Sequence, residues 1–313
     1  MGDVVSLGSV NVDHRLTVSD DELAALEARY DWVPDRGQTV RVDDVPEGFA
    51  PDADETRHGG KGANQAVAAA RAGASTTMLG AVGDDYERHE VVSRLDAVGV
   101  DTDRLEIAAA PTGAAYVFVE ASGDNRIVVC PGANDAVDEA YVRAQQDAVA
   151  DADCLLLQNE IPVGPVASLL DTFAETADPP TVILDPAPPN GVDPLLARPA
   201  VDYCTPNEHE YTALESTLDA FDGVVVHKRG GNTLRVETSD DGFTVDPPSV
   251  DPTDTTGAGD VLNGFLAARL AAGAPLREAV ELAVTAGSMA TRTAGAQSGV
   301  PTLDEVRAFR ADS

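Results

Sequence analysis

The stretch 254–264, Asp-Thr-Thr-Gly-Ala-Gly-Asp-Val-Leu-Asn-Gly, constrains the chain most, because it runs directly into an apolar, alanine-rich segment at 265–272. A Gly-X-Gly turn that opens a helix leaves several backbone N–H groups without partners. It aims them, with the positive end of the helix dipole, at one point suited to an anion. Gly257 and Gly259 carry no Cβ, so the backbone can take positive φ and approach a ligand closely. Asp260, at the helix start, is placed to take the proton of a hydroxyl attacking a phosphoryl group. The amides around Gly257, Ala258 and Gly259 would stabilise the charge that develops. Taken alone, the turn reads equally as a glycine-rich loop capped by an aspartate. It is not a Walker A loop, since no Gly-Lys-Ser/Thr follows.

A chain of 313 residues with 43% hydrophobic content can build one large α/β domain or two smaller ones. Its 54 acidic residues against 21 basic give a formal net charge of −33, which argues against nucleic acid or an anionic membrane as partner. The acid is spread along the whole chain and lysine is scarce, a pattern expected of a protein adapted to molar salt, where screening weakens self-repulsion. Cys130, Cys154 and Cys204 sit in apolar contexts without metal-ligand spacing, so buried free thiols in a reducing compartment are expected. There is no run of about 18 apolar residues of the kind that spans a bilayer. The expectation is a soluble, cytoplasmic protein.

Along the chain, 3–10 reads as a buried central strand, and Asn11, Asp13 and His14 follow where a parallel sheet presents its carboxyl edge. Residues 19–28 fit a capped short helix, 39–45 an edge strand and 43–55 a loop rich in proline and acid. A second glycine-rich turn, His-Gly-Gly-Lys-Gly-Ala-Asn at 58–64, opens another helix, and Lys61 and Asn64 offer donors to hydroxyl or phosphate oxygens. Strand 76–82 and helix 86–98 follow. Two short strands, 115–120 and 126–130, flank a hairpin turn and would pair with 39–45 as a small sheet over the site. Then helices 137–150 and 165–177 alternate with strands 154–158 and 181–185, the rhythm of a parallel sheet. Asn207 and Glu210 lie three apart at a helix start and could orient a water on Mg²⁺ or a phosphate oxygen, or simply cap the helix. Strand 223–227 leads to the basic turn His227-Lys228-Arg229-Gly230-Gly231, a hairpin is predicted at 232–246, and helices cover 262–272, 276–291 and 303–310.

Five segments in order, Gly8-Ser9-Val10-Asn11-Val12-Asp13-His14, Gly59-Gly60-Lys61-Gly62-Ala63-Asn64-Gln65-Ala66, Pro131-Gly132-Ala133-Asn134, Thr205-Pro206-Asn207-Glu208 and 254–260, resemble the ribokinase-like branch of the PfkB carbohydrate kinase family. The resemblance spans nearly the whole chain. It implies a single three-layer α/β domain over 1–313, with a mostly parallel central sheet between helices. A β-sheet lid would come from insertions around 15–57 and 112–130 and serve as a homodimer contact. The implied reaction is ATP-dependent phosphorylation of a small sugar, D-ribose first. A nucleoside kinase, a fructokinase or a 2-keto-3-deoxygluconate kinase stand as alternatives within the fold, and a non-catalytic sugar-binding regulator outside catalysis. A dinucleotide-dependent oxidoreductase is disfavoured because the first strand leads into Gly-Ser-Val-Asn rather than Gly-x-Gly-x-x-Gly.

Carried over position by position, the resemblance implies Asp260 as base and Gly257, Ala258 and Gly259 as anion hole. Asn11, Asp13, Gly60, Lys61, Asn64 and Glu160 would contact the sugar, with Asp260. Asn207 would contact the nucleotide, and Glu210 would complete an Asn-x-x-Glu motif for Mg²⁺ and phosphate; read from the residues themselves, His227, Lys228 and Gly230 of the basic turn, with Gly259, either face the nucleotide or form a solvated turn. Asp254, Thr256, Ala290, Thr293, Gly295 and Gly299 would hold an activating potassium ion, partly through carbonyls. The chain departs from the family at the basic turn, at Gly299, which is often serine, and in a longer lid segment containing Trp32.

Overall fold

The computed structural model describes residues 2–36, 38–46, 49, 53–120, 125–173, 176–239 and 241–312. Within them the main sheet runs Phe243–Val245, Leu234–Glu237, Val224–His227, Tyr203–Cys204, Thr181–Asp185, Cys154–Gln158, Asp3–Leu7, Ser75–Leu79 and Val100–Asp101 in spatial order. All neighbours are parallel except the two hairpin strands at the Phe243 edge. Alternate side chains of Cys154–Gln158 enter two separate cores. Cys154 and Leu156 pack with the helices Lys61–Arg71, Ala258–Ala271 and Leu276–Ala290, while Leu155 and Leu157 pack with Val163–Phe173 and its neighbours. Burial on both faces accounts for the continuous apolar runs in these strands. The three-layer α/β expectation holds.

A five-stranded second sheet, in the order Thr39–Arg41, Asn125–Cys130, Gly113–Glu120, Asn11–Val18 and Glu55–Gly59, forms the lid. One face carries Leu16, Val18, Phe118 and Val128, and the same chain covers it: Leu26 and Tyr30 by the helix Asp20–Arg29, then Trp32 and Phe49, form a cluster with its own apolar core. Ser19 and Glu22 make the expected capping box. Phe49 is buried; the rest of the acidic loop at 47, 48 and 50–52, and the hairpin turn at 121–124, lie outside the described residues. Buried Arg126 bridges Glu120 and Glu27, and Arg36 also bonds Glu120, tying the insertion to the lid.

Several element boundaries differ from those read in the sequence. The first strand ends at Leu7, and Asn11 and Asp13 lie on a lid strand rather than in a loop, because the chain passes straight from one sheet into the other. The strand expected at 76–82 breaks at Gly80, where a Cβ would come within 2.5 Å of the Gly8 carbonyl oxygen. The helix expected at 86–98 forms only as Val91–Ala97 after Glu90 adopts a left-handed conformation. The helix at 137–150 divides into Glu139–Ala144 and Gln146–Ala150, and that at 262–272 starts earlier, at Ala258. All three cysteines are buried and free. Among the described residues no helix is long and apolar enough to cross a membrane.

Candidate active site

Gly257 caps the helix Ala258–Ala271 in a left-handed conformation (φ 77°), and a Cβ there would lie 2.6 Å from Ala296 Cβ. Only glycine meets both demands. In the first turn, Gly259 and Asp260 present N–H groups with no intrahelical acceptor, while Ala258 N donates to Thr255 O at 3.3 Å. This helix packs closely against Lys61–Arg71: a Cβ on Gly264 would be 2.5 Å from Ala68 Cβ and from Gln65 O. The small residues of the alanine-rich run thus let two glycine-started helices converge on one point.

Asp260 occupies that point. It is buried, and its carboxylate accepts Asn64 Nδ2 and Gln65 Nε2, each at 3.0 Å. Burial pushes its pKa up and Asp185 adds to the rise, against Lys61 and the two amide donors. Asn64 is itself held by Gln297 Nε2 at 3.0 Å. Gln65 Nε2 also donates to Asp185 Oδ2 at 3.0 Å, and Asn263 Nδ2 donates to the same oxygen at 2.9 Å. A carboxylate fixed on both oxygens and raised in basicity is fit to receive a hydroxyl proton.

Lys61 projects between the carboxylates. Burial alone would lower its pKa, yet Asp260, Glu160, Asp185 and Glu210 together raise it, so it stays cationic. Its backbone N–H donates to Glu160 Oε2 at 3.1 Å, and Ser9 Oγ donates to the same oxygen. Gly60 (φ 85°) brings its backbone so near that a Cβ would lie 2.7 Å from Asn11 N. Asn11 is fixed by Asn134 Nδ2 at 2.8 Å. Asp13, on the same lid face, has its pKa pushed up to about 7, first by burial and then by Glu160 and Asp260. The predicted sugar contacts therefore gather on the lid side of Asp260.

On the other side lies a cavity of about 650 Å³ lined by, among others, Lys61, Asn207, Glu210, Lys228, Gly230 and the turn Gly257–Asp260. Asn207 and Glu210 form a reciprocal capping box, with Asn207 N to Glu210 Oε2 at 2.8 Å and Glu210 N to Asn207 Oδ1 at 2.9 Å. Burial, and then Asp185, raise the Glu210 pKa, against Lys228. His227 does not line the cavity. Strand alternation sends it to the Val225 face, where it stacks on Tyr211 with centroids 4.0 Å apart. The six residues expected around a potassium ion come together in two adjoining segments. Asp254 accepts Thr256 N and Gly295 N, each at 2.9 Å, Thr293 N donates to Ala290 O, and a Cβ on Gly299 would be 2.6 Å from Ala290 O. Three contributors had not stood out in the sequence: Gln65, Asp185 and Arg57. Arg57 Nη1 approaches Asp254 Oδ2 at 3.5 Å.

Two glycine-turned helix starts converging on a buried aspartate, under a separate β-sheet lid, define a phosphotransferase acting on an alcohol. The pattern described as pfkB family carbohydrate kinase matches residues 41–303, and the chain belongs to that family. The ribokinase of Bacillus subtilis (strain 168) is 37% identical over 262 residues, covering 80% of this chain and 87% of the relative. The ribokinase of Schizosaccharomyces pombe is 32% identical, covering 98% of this chain and 97% of its own. Among solved structures, the Thermotoga maritima ribokinase superposes with a TM-score of 0.81 at 28% identity, covering 99% of this chain and 100% of that one. The Arabidopsis thaliana ribokinase complexed with ribose and ATP gives 0.77 at 25% identity, covering 98% of each chain.

Proposed function

We propose that this chain is an ATP-dependent ribokinase that transfers the γ-phosphoryl group of ATP to the 5-hydroxyl of D-ribose. One observation carries the reading: buried Asp260 is held by two amides at the boundary between the lid-side polar cluster and the cavity faced by the anion-hole turn. The 5-hydroxyl gives its proton to Asp260 as its oxygen forms a bond to phosphorus, and the bond from phosphorus to the bridging oxygen breaks with its electron pair leaving on ADP. The Gly259 and Asp260 amides and Lys61 stabilise the charge spread over the phosphoryl oxygens. Asn11, Asp13, Asn64 and Glu160 orient the sugar hydroxyls, and the lid excludes water that would otherwise accept the phosphoryl group.

Buried acidic Glu210, lining this cavity, fits Mg²⁺ carried in on the nucleotide, an ion that prefers one or two carboxylates plus substrate phosphates. When bound it would neutralise phosphate charge. The donor set of Asp254, Thr256, Ala290, Thr293, Gly295 and Gly299 is all oxygen, which fits a hard cation such as potassium, and an ion there would stiffen the loop beneath the anion hole. We place the enzyme in a salt-rich cytoplasm. A homodimer through the lid would use the half-buried face of Val117, Val119, Ile127 and Val129, because Trp32 and Phe49 lie over the other. Deoxyribose is a second candidate, since a Salmonella typhimurium deoxyribokinase is 27% identical over 80% of this chain. The test is ADP release from Mg·ATP in concentrated KCl, with NaCl as control, across ribose, deoxyribose, fructose, ketodeoxygluconate and nucleosides. Preference for ribose supports the reading, preference for another compound reassigns the substrate, and silence across the panel leaves a sugar-binding regulator.

A further inference from the structure

The chain contains two lysines, Lys61 and Lys228; every other basic residue among the 21 is an arginine. Both lysines line the same cavity. Lys228 follows the strand Val224–His227, and its backbone is pinned by a bond from its N–H to Pro206 O at 2.8 Å. Strand alternation turns its side chain away from His227 and into the cleft, where only 11% of it is exposed. Its Nζ donates to Asp185 Oδ1 at 3.1 Å. The three heavy atoms nearest a Cβ built on Gly259 all belong to Lys228, with Nζ at 3.4 Å. The ammonium thus lies against the centre of the anion-hole turn.

Building on the kinase reading, we propose that Lys228 is a catalytic residue that binds the γ-phosphoryl group as it is transferred, and that Asp185 is the positioning residue that holds it at the anion hole. A lysine suits this place better than an arginine. Its compact charge on a flexible stem can leave one oxygen for another without matching a planar fork, and a lysine is a regular phosphate ligand. Asp185 keeps two further donors, Gln65 Nε2 and Asn263 Nδ2, so its carboxylate stays satisfied when Lys228 turns to the phosphate. Lys228 moves no proton: it offsets charge on the phosphoryl oxygens, while Asp260 takes the hydroxyl proton and ADP leaves with the electron pair.

The test compares Lys228→Met, Lys228→Arg and the double variant Lys228→Met/Asp185→Asn with the parent enzyme. Two readouts are taken: turnover with ribose, and calorimetric affinity for AMP and for a non-hydrolysable ATP analogue. Lys228→Met should lose about 10²- to 10³-fold in kcat, as removal of one charge-stabilising donor does. It should bind the triphosphate analogue at least about tenfold more weakly with AMP unchanged, a loss of about 1.4 kcal/mol or more. Lys228→Arg should recover part of the turnover. The double variant should regain the thermal stability of the parent but not its turnover, which separates a catalytic from a structural role and keeps the question open to decision if Lys228→Met folds poorly. Equal weakening of AMP and the analogue, or turnover near the parent's, would overturn the proposal. Silence of the parent on every acceptor overturns the kinase reading instead, and the affinity comparison still decides the Lys228 contact.

Discussion

Arg57 Nη1 lies 3.5 Å from Asp254 Oδ2, joining the lid strand Glu55–Gly59 to the loop that leads into the anion hole. The same guanidinium reaches Gly295, where a Cβ would be 3.1 Å from Nη1. A part-exposed pair of this kind adds at most about 1 kcal/mol to stability. Its position matters more, since it bridges lid and loop across the mouth of the site. Arg57→Ala should leave the melting temperature within a few degrees of the parent but raise ATP hydrolysis relative to sugar phosphorylation, because a looser lid admits water. An unchanged ratio of sugar phosphate to ADP would remove Arg57 from this role.

Asp260→Asn keeps the shape of the side chain and removes the carboxylate proposed as the base. Turnover should fall by about 10² to 10⁴, the usual range for lost general-base catalysis, with ribose binding little altered. Relief of burial beside Asp185 is offset because the new amide would face the Asn64 or Gln65 donor with an NH2, so the variant should melt at or below the parent's temperature. A folded variant with near-normal ADP release would sink the assignment.

The Asp13 pKa, pushed up from 3.8 to about 7, fixes the sign of a pH effect. Between those values the folded protein holds a proton that the unfolded chain has lost, so this group's contribution is fully present below about pH 4 and is lost as pH rises through about 7. Asp13→Asn cannot ionise. Its melting temperature relative to the parent should therefore be higher at pH 8 than at pH 5, and a flat or reversed difference would show that Asp13 ionises at no penalty.

A surface with formal net charge −33 repels itself in dilute buffer. Raising KCl from about 0.1 M to 3 M shortens the screening length from about 10 Å to below 3 Å. Melting temperature and turnover should both rise over that range. Equal stability in dilute buffer would mean that the acidic surface does not need salt.

The core of this architecture was legible because its signals are local. The apolar run Cys154–Gln158 and the glycine turns at 58–62 and 254–259 state their structure within a few residues. Asp260 followed from the second turn, and Asn64 from the first. Arg57 carries no such signal: it is a single arginine in Glu-Thr-Arg-His, and its partner lies far along the chain. Asp185 was within reach, since it ends a parallel strand where ligand-facing side chains collect. His227 was read as facing the nucleotide because it begins the basic turn. Alternation along Val224–His227 places it instead on the Val225 face and hands the cleft to Lys228. The helix at 137–150 reads as continuous by periodicity, yet it breaks at Gln145.

The apolar core held within the lid changes how the cleft must open. A bare sheet would bend as it lifted, but Phe49, Phe118, Trp32 and Leu16 bind this one to its own backing, and Arg126 rivets the sheet to Glu27 of that backing. The lid is therefore a plate rather than a flap. Asn11 and Asp13 share one strand of that plate, so under the proposed sugar site they would reach and leave the sugar together rather than contact by contact.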